Sequence, residues 1–346
     1  MTTTQGAAPT AGAGRPSQPF GDGVGHRVHT LEDRDIPPVV IVYGAVRSGT
    51  TMFRLMLNSH PGISNPGEVD FLFDQLHPDA TCSSGWRYDR TGLQASRIFR
   101  AHRLDLPPDQ GGLDLMADIL RQFAARAPGT VLTVNVHHNI RRVVRLLPHA
   151  RIIHVLRDPR DVARSCVGMG WFGTSYHAAS SWLEAERGWD EAAPLLSPDQ
   201  VLTLPFEDLM RDLEGQLARV CAFVGVPLTP QMLGYHERST YQPPDPSIAQ
   251  QWRRKAPRSE IALIEGRCAD LMAARGYPPE CGPRIPGRAE SALLEVRHRT
   301  RRWRFNIGRF GLPLFLANHA TRLPGLRSFR PGVRRRMDDK ITAWLK

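Results

Sequence analysis

The segment Gly44-Ala45-Val46-Arg47-Ser48-Gly49-Thr50-Thr51 places a guanidinium and three hydroxyls between and just beyond two glycines. Such a loop suits an anion. Backbone N–H groups converge in it, and a helix starting there adds about half a positive charge. The interval from Gly44 to Gly49 follows the phosphate-binding pattern GxxxxGK[ST] up to one position, where Thr50 stands in place of the lysine. That lysine reaches the β- and γ-phosphates of a nucleoside triphosphate, and the next hydroxyl helps hold Mg²⁺. The loop thus disfavours triphosphate cleavage and fits a less charged anion that needs no metal. Arg47 offers such an anion a planar fork, and Ser48, Thr50 and Thr51 offer hydroxyls.

A second cluster is Arg157-Asp158-Pro159-Arg160-Asp161-Val162-Ala163-Arg164-Ser165. Arg157 is expected at the C-terminal edge of a strand, where open α/β sheets bind ligands. Asp158 can cap a helix whose first position suits Pro159. Ser165, eight residues past Arg157, falls about two turns into that helix. One cation and one hydroxyl so spaced fit a second phosphate. Two groups are candidates for moving a proton. Glu68, in Pro66-Gly67-Glu68, lies 21 residues after Arg47, and an anion site beside it would raise its pKa. His137, in Asn135-Val136-His137-His138-Asn139, has a side chain that titrates near neutrality. The plainer alternatives are a capping or solvated glutamate and a polar pair of histidines at a strand end.

The elements that must position these residues can be read from periodicity. Val39–Tyr43 is a short apolar, β-branched run, as in a buried parallel strand. Residues 51–59 then read as a helix closed by His60-Pro61-Gly62. Further strands are expected at 131–136, 151–156 and 200–204, and helices near 141–147, after Pro159, and over 176–193, 209–224 and 257–275. This alternation predicts an α/β fold, P-loop-like and three-layered, with a central parallel sheet flanked by helices. Residues 70–130 carry Phe71, Phe73, Trp86, Tyr88 and Phe99. They are the expected acceptor-facing insert, although a packed core is the commoner use of such aromatics.

Together the two anion motifs resemble the phosphoadenosine-phosphosulfate-dependent sulfotransferases, nearest to the branch with protein-tyrosine sulfotransferases and related bacterial enzymes. The likeness runs from about Val39 to Tyr277 and includes Trp182, Phe206-Glu207-Asp208-Leu209 and Gly276-Tyr277. It implies that Arg47, Ser48, Gly49, Thr50 and Thr51 bind the 5′-phosphosulfate of 3′-phosphoadenosine-5′-phosphosulfate. Arg157 and Ser165 would bind its 3′-phosphate, and 250–254, with Trp252 and Arg253, would close over the nucleotide. Glu68 sits where that branch carries its base, and His137 where cytosolic small-molecule sulfotransferases carry theirs. Two departures stand out. Asn135 replaces a frequent lysine, and the chain's three lysines are Lys255, Lys340 and Lys346, so Arg47 or a further arginine must meet the leaving-group charge. Phe206 replaces a frequent tyrosine. The expected acceptor is a hydroxyl on a lipid, glycan or secondary metabolite. The rival readings are a P-loop kinase or NTPase, disfavoured by Thr50, and a non-catalytic membrane or nucleic-acid binder.

Composition bounds the rest. The 346 residues carry a net charge of +11. Residues 284–346 hold 16 Lys plus Arg against 4 Asp plus Glu, a net of +12, leaving −1 for the remainder. The positive field therefore belongs to a basic, amphipathic, helical C-terminal extension that alternates Arg with apolar residues from Trp303 to Leu316. Its candidate uses are an anionic membrane surface, an extra helical layer or a homo-oligomer contact; nucleic acid is disfavoured. Residues 1–36, rich in Gly, Pro, Ala and Thr, are expected to be disordered, with a single domain over 37–283. The five scattered cysteines fit neither a disulfide framework nor a zinc site. With no signal-like start, the expected location is the cytoplasm, peripheral at a membrane if the extension binds one.

Overall fold

Val39–Tyr43 is buried along its whole length, and its side chains alternate between two cores, as a strand covered on both faces requires. Ile41 and Tyr43 join one apolar cluster; Val40 and Val42 join the other. The computed structural model describes residues 30–32, 34–126, 129, 131–239 and 241–344. Its strands are β1 (Val39–Tyr43), β2 (Ile63–Ser64), β3 (Leu76–Pro78), β4 (Trp86–Tyr88), β5 (Val131–Val136), β6 (Arg151–Leu156) and β7 (Val201–Pro205). Five form one sheet in the order β2-β5-β1-β6-β7, and every pairing in it is parallel. The chain runs from β1 to β2 and β5 on one side, then crosses to β6 and β7 on the other. The crevice where strand order reverses thus lies beyond the C-terminal ends of β1, β5 and β6, the usual ligand position in such sheets.

Helices Gly112–Ala125, Ile140–Leu146, Ser175–Ala192 and Arg258–Ala274 contribute to one core. Helices Thr50–Asn58 and Leu213–Val224 contribute to the other. The three-layer α/β expectation matches this arrangement. The stretch expected as one helix over 209–224 is two, Phe206–Arg211 and Leu213–Val224. They break at Asp212, whose carboxylate caps the second by accepting from the Gly215 N–H at 3.0 Å. Short elements that periodicity cannot register were missed: β2, the antiparallel β3–β4 pair, and helices Arg90–Ala95 and Arg97–His102.

The disorder expected of 1–36 falls largely outside the described residues. Within 30–36 it is corrected. Leu31 is fully buried and its N–H donates to the Leu146 carbonyl at 2.9 Å, while Arg34 pairs with Asp114 at 2.7 Å. One apolar anchor suffices to dock this end, and composition averaged over the segment hides it. The C-terminal extension forms helices Arg288–Phe310, Leu312–Ala320 and Arg330–Trp344. Among the described residues no helix is long and apolar enough to cross a membrane.

Candidate active site

The loop after β1 is bent by glycines that nothing larger could replace. A Cβ on Gly44 would strike the Val155 carbonyl of neighbouring β6. Gly49 has φ +93°, and a Cβ there would strike the Phe206 ring. Arg47 also takes a left-handed conformation, φ 72°, which is uncommon for a side chain of its size and is often tied to function. The helix starts at Thr50, so the N–H groups of its first turn face the loop. Ser48 is 1% exposed, and its hydroxyl has no hydrogen-bond partner among the described residues. A buried orphan of this kind calls for a ligand or water.

The second motif packs directly against the first. Nε of Arg47 donates to Oγ of Ser165 at 3.0 Å. Arg157 donates to the Arg47 carbonyl at 3.1 Å and to the Ile248 carbonyl at 2.9 Å, and its guanidinium carbon stands 4.1 Å from the Phe206 ring centroid. Phe206, the departure from tyrosine, thus floors both Gly49 and Arg157. Burial lowers the Arg157 pKa, while Asp161 and Glu207 pull the other way. Nε of Arg157 is buried without a hydrogen-bond partner among the described residues. The strand end is braced by Trp182, whose indole N–H donates to the Arg157 carbonyl at 2.9 Å. Glu207 accepts from the Asp158 N–H at 3.0 Å and from the Tyr277 hydroxyl at 2.8 Å. The resemblance residues Trp182, Glu207 and Tyr277 therefore act as braces.

Trp252 is buried too. Its indole N–H donates to Asp158 at 3.0 Å, its backbone N–H donates to Asp161 at 2.9 Å, and Arg160 and Arg253 stand 3.8 and 4.5 Å from its ring centroid. Arg253 is exposed and paired with Glu280. In this arrangement Trp252 ties segment 250–254 to the Arg157 helix.

Glu68 and His137 come together. Asn135 is the hub. Its backbone N–H donates to the Gly67 carbonyl at 2.9 Å, and its own carbonyl accepts from the Val69 N–H at 2.9 Å. Its side chain donates to the Thr50 carbonyl at 3.2 Å and accepts from Asn65 at 3.1 Å. The residue in the lysine's place thus clamps the Glu68 segment to the start of the loop helix. Nδ1 of His137 lies 2.8 Å from the Gly44 carbonyl. A carbonyl can only accept, so Nδ1 carries a proton. Nε2 faces Oε1 of Glu68 at 3.6 Å. Burial opposes charge on the imidazole, but the Glu68 and Asp70 carboxylates and the Gly44 carbonyl outweigh it and raise the pKa to about 9. These contacts favour the charged form of the imidazole.

Sequence reasoning missed Asp70 and Arg54. Asp70 accepts from the His137 and His138 N–H groups at 2.7 and 3.0 Å. Arg54 lies on the buried side of the loop helix, 8% exposed. Burial lowers its pKa, with the Glu68 charge opposing. A cation on the apolar face of an amphipathic helix was the available signal. On helix Arg97–His102, burial lowers the Arg97 pKa, and the charges of Asp338 and Glu68 raise it.

A loop-to-helix anion cradle, a second cationic anchor at the sheet's switch point and a carboxylate beside them define a nucleotide-dependent group-transfer enzyme. The sequence profile described as the Sulfotransferase family matches residues 38–230. The chain belongs to that family and is a sulfotransferase. It is 22% identical over 291 residues to protein-tyrosine sulfotransferase 1 of Danio rerio, covering 76% of this chain and 78% of that one. It is 30% identical over 122 residues to omega-hydroxy-beta-dihydromenaquinone-9 sulfotransferase of Mycobacterium bovis, covering 31% of each. The sulfotransferase domain of the Synechococcus PCC 7002 olefin synthase superposes with a TM-score of 0.50 at 21% identity, covering 71% of this chain and all of that one.

Proposed function

We propose that this sulfotransferase moves the sulfuryl group of 3′-phosphoadenosine-5′-phosphosulfate to a hydroxyl on a lipid, glycan or secondary metabolite, with Glu68 as base. The observation that carries this reading is the adjacency of the two anchors. Arg47 bonds Ser165 at 3.0 Å, and the buried Ser48 hydroxyl and Arg157 Nε lack hydrogen-bond partners among the described residues. Arg47, Ser48, Gly49, Thr50 and Thr51 hold the phosphosulfate. Arg157 and Ser165 hold the 3′-phosphate, with Trp252 and Arg253 keeping 250–254 against the nucleotide.

In the reaction the acceptor oxygen bonds to sulfur as the bridging S–O bond breaks, and the electron pair leaves on the 5′-phosphate. Arg47 and the loop N–H groups meet that charge. Glu68 takes the hydroxyl proton as the new bond forms. His137 donates to the Gly44 carbonyl through Nδ1, and its carboxylate neighbours favour the protonated ring, so it is the poorer acceptor. It joins the Glu68 carboxylate to the donor loop, with Nε2 3.6 Å from Oε1 of Glu68 and Nδ1 2.8 Å from the Gly44 carbonyl.

The test compares 3′,5′-adenosine bisphosphate with ATP–Mg²⁺ by thermal melting. A ligand that binds only the native state raises the melting temperature. The bisphosphate alone should do so. A shift with ATP–Mg²⁺ alone would return the chain to the kinase reading.

A further inference from the structure

The C-terminal extension is bound to the domain through some of its side chains and exposes large apolar ones among its arginines. Leu294, His298 and Phe310 of helix Arg288–Phe310 are buried. The Phe305 ring and the His298 backbone fill the space where side chains on Gly170 and Gly173 would stand. Glu295 pairs with His177 at 3.1 Å. At the far end Asp338 pairs with Arg100 at 3.0 Å, and Lys340 donates to the Phe310 carbonyl at 3.0 Å. The extension thus grips two segments flanking the site: the stretch after the Ser165 helix, and the insert helix Arg97–His102. Arg97 responds to the charges of both Asp338 and Glu68.

The outer side is different. Trp303, Leu316, Leu323 and Phe329 are 52%, 54%, 60% and 65% exposed. Trp303 lies against Phe315 and His319, with ring centroids 6.3 and 6.4 Å apart, so its surface continues into helix Leu312–Ala320. Every residue from 322 to 329 is exposed, and Leu323, Leu326 and Phe329 recur there at a spacing of three among Arg322, Arg327 and Arg330. A monomer surface rarely leaves so many large apolar side chains together without a partner.

The charge selects the partner. A second copy would bring two segments of net +12 together, which repel. A nucleic acid would use the arginines but not the aliphatic residues. An anionic bilayer uses both: arginines meet headgroup phosphates, and leucines and aromatics enter the acyl boundary.

We propose that the exposed face of residues 303–330 docks on an anionic lipid bilayer and holds the Arg97 side of the site at that surface. A lipid-borne hydroxyl is then the acceptor presented to Glu68, a consequence that rests on the transferase reading, whereas the docking does not. The test sediments the full chain with phosphatidylcholine vesicles and with vesicles one-third phosphatidylglycerol. The expected result is binding to the anionic vesicles alone. In the triple variant Leu323→Ser, Leu326→Ser, Phe329→Ser, partitioning should fall about tenfold or more with the melting temperature unchanged. The docking is overturned by no sedimentation of the full chain, by equal binding to both vesicles, or by undiminished binding of a folded triple variant. A concentration-dependent dimer that the triple variant dissolves also overturns it, by giving the face to a second copy. Docking as expected without stabilisation by 3′,5′-adenosine bisphosphate would remove the donor reading and leave the surface standing.

Discussion

Nε of Arg47 donates to Oγ of Ser165 at 3.0 Å, joining two motifs 118 residues apart in the chain through one hydrogen bond. Arg157 closes the same corner from below by donating to the Arg47 carbonyl at 3.1 Å. The two anchors inferred separately from spacing are thus a single cationic corner at the end of the sheet. Replacing Arg47 should damage both halves at once. Arg47→Ala is expected to lower kcat about 100-fold or more, as loss of an oxyanion donor does. Arg47→Lys should rescue little, because an ammonium lacks the planar fork. Ser165→Ala should weaken 3′,5′-adenosine bisphosphate binding by about tenfold, the scale of one hydrogen bond to a charged group, with a smaller effect on kcat. Titration calorimetry and steady-state rates separate the two. Equal losses of binding in both variants with kcat intact would remove Arg47 from the chemistry.

The base assignment turns on the contact of His137 with Glu68 at 3.6 Å. Glu68→Gln keeps the shape and removes the proton acceptor. It should cost about 100- to 10,000-fold in kcat and leave bisphosphate binding near the parent value. His137→Gln should cost less, because it leaves the Glu68 carboxylate in place as the proton acceptor. Full activity in Glu68→Gln would transfer the base role to His137.

The same pair sets an alkaline limit on stability. His137 has a folded-state pKa of about 9 against an ordinary value of 6.5. A raised pKa means that the folded state holds the proton more tightly. The contribution is complete below about 6.5 and is lost as pH rises through about 9. His102 acts at the acid end. Burial pushes it down to about 4, so folding favours its neutral form and stability falls as pH drops from 6.5 toward 4. Urea midpoints across pH should show both limbs, and His137→Gln should flatten the alkaline one alone. An unchanged alkaline limb in that variant would mean that His137 is not charged in the fold.

Four of the five sheet strands, the loop and the Arg157 segment were legible because each is local: a buried apolar run, two glycines at a fixed interval, a capped helix start. The pairing of Glu68 with His137 was not, because it depends on Asn135 stitching an edge segment to β5 across 70 residues, from Asn65 to Asn135. Two neighbouring candidates for one role are, in space, one unit. Arg54 escaped for the opposite reason: the periodicity that identified its helix also marked its face as core. Segment averages hid Leu31, one buried side chain in a stretch dominated by small and polar residues.

That leucine gives a prediction of its own. Leu31 is fully buried and its N–H is bonded to the Leu146 carbonyl at 2.9 Å. Leu31→Ala should destabilise the domain by about 2–5 kcal/mol, the range for emptying a packed leucine site. Denaturant unfolding measures it. A loss under about 0.5 kcal/mol, typical of a surface substitution, would show that this end of the chain does not dock in solution.

The contact of Gly49 with Phe206 can be tested as a pair. A Cβ on Gly49 would strike the Phe206 ring, and φ +93° there strains any side chain. Gly49→Ala therefore carries two penalties, a clash and a backbone cost of about 1–3 kcal/mol. Phe206→Ala carries the loss of a buried aromatic, about 3–5 kcal/mol, and removes the floor beneath Arg157, whose guanidinium lies 4.1 Å from that ring. In the double variant the clash is gone, leaving the backbone strain and the loss of the buried aromatic. The combined destabilisation should fall short of the sum by the size of the clash, about 1 kcal/mol or more for residues in direct contact. Bisphosphate affinity should follow a different pattern, falling in Phe206→Ala whether or not Gly49 is changed, because Arg157 loses its support in both. Strict additivity of the unfolding energies would mean that the loop moves away from the ring at little cost, and the tight seat of the phosphosulfate loop on Phe206 would have to be given up.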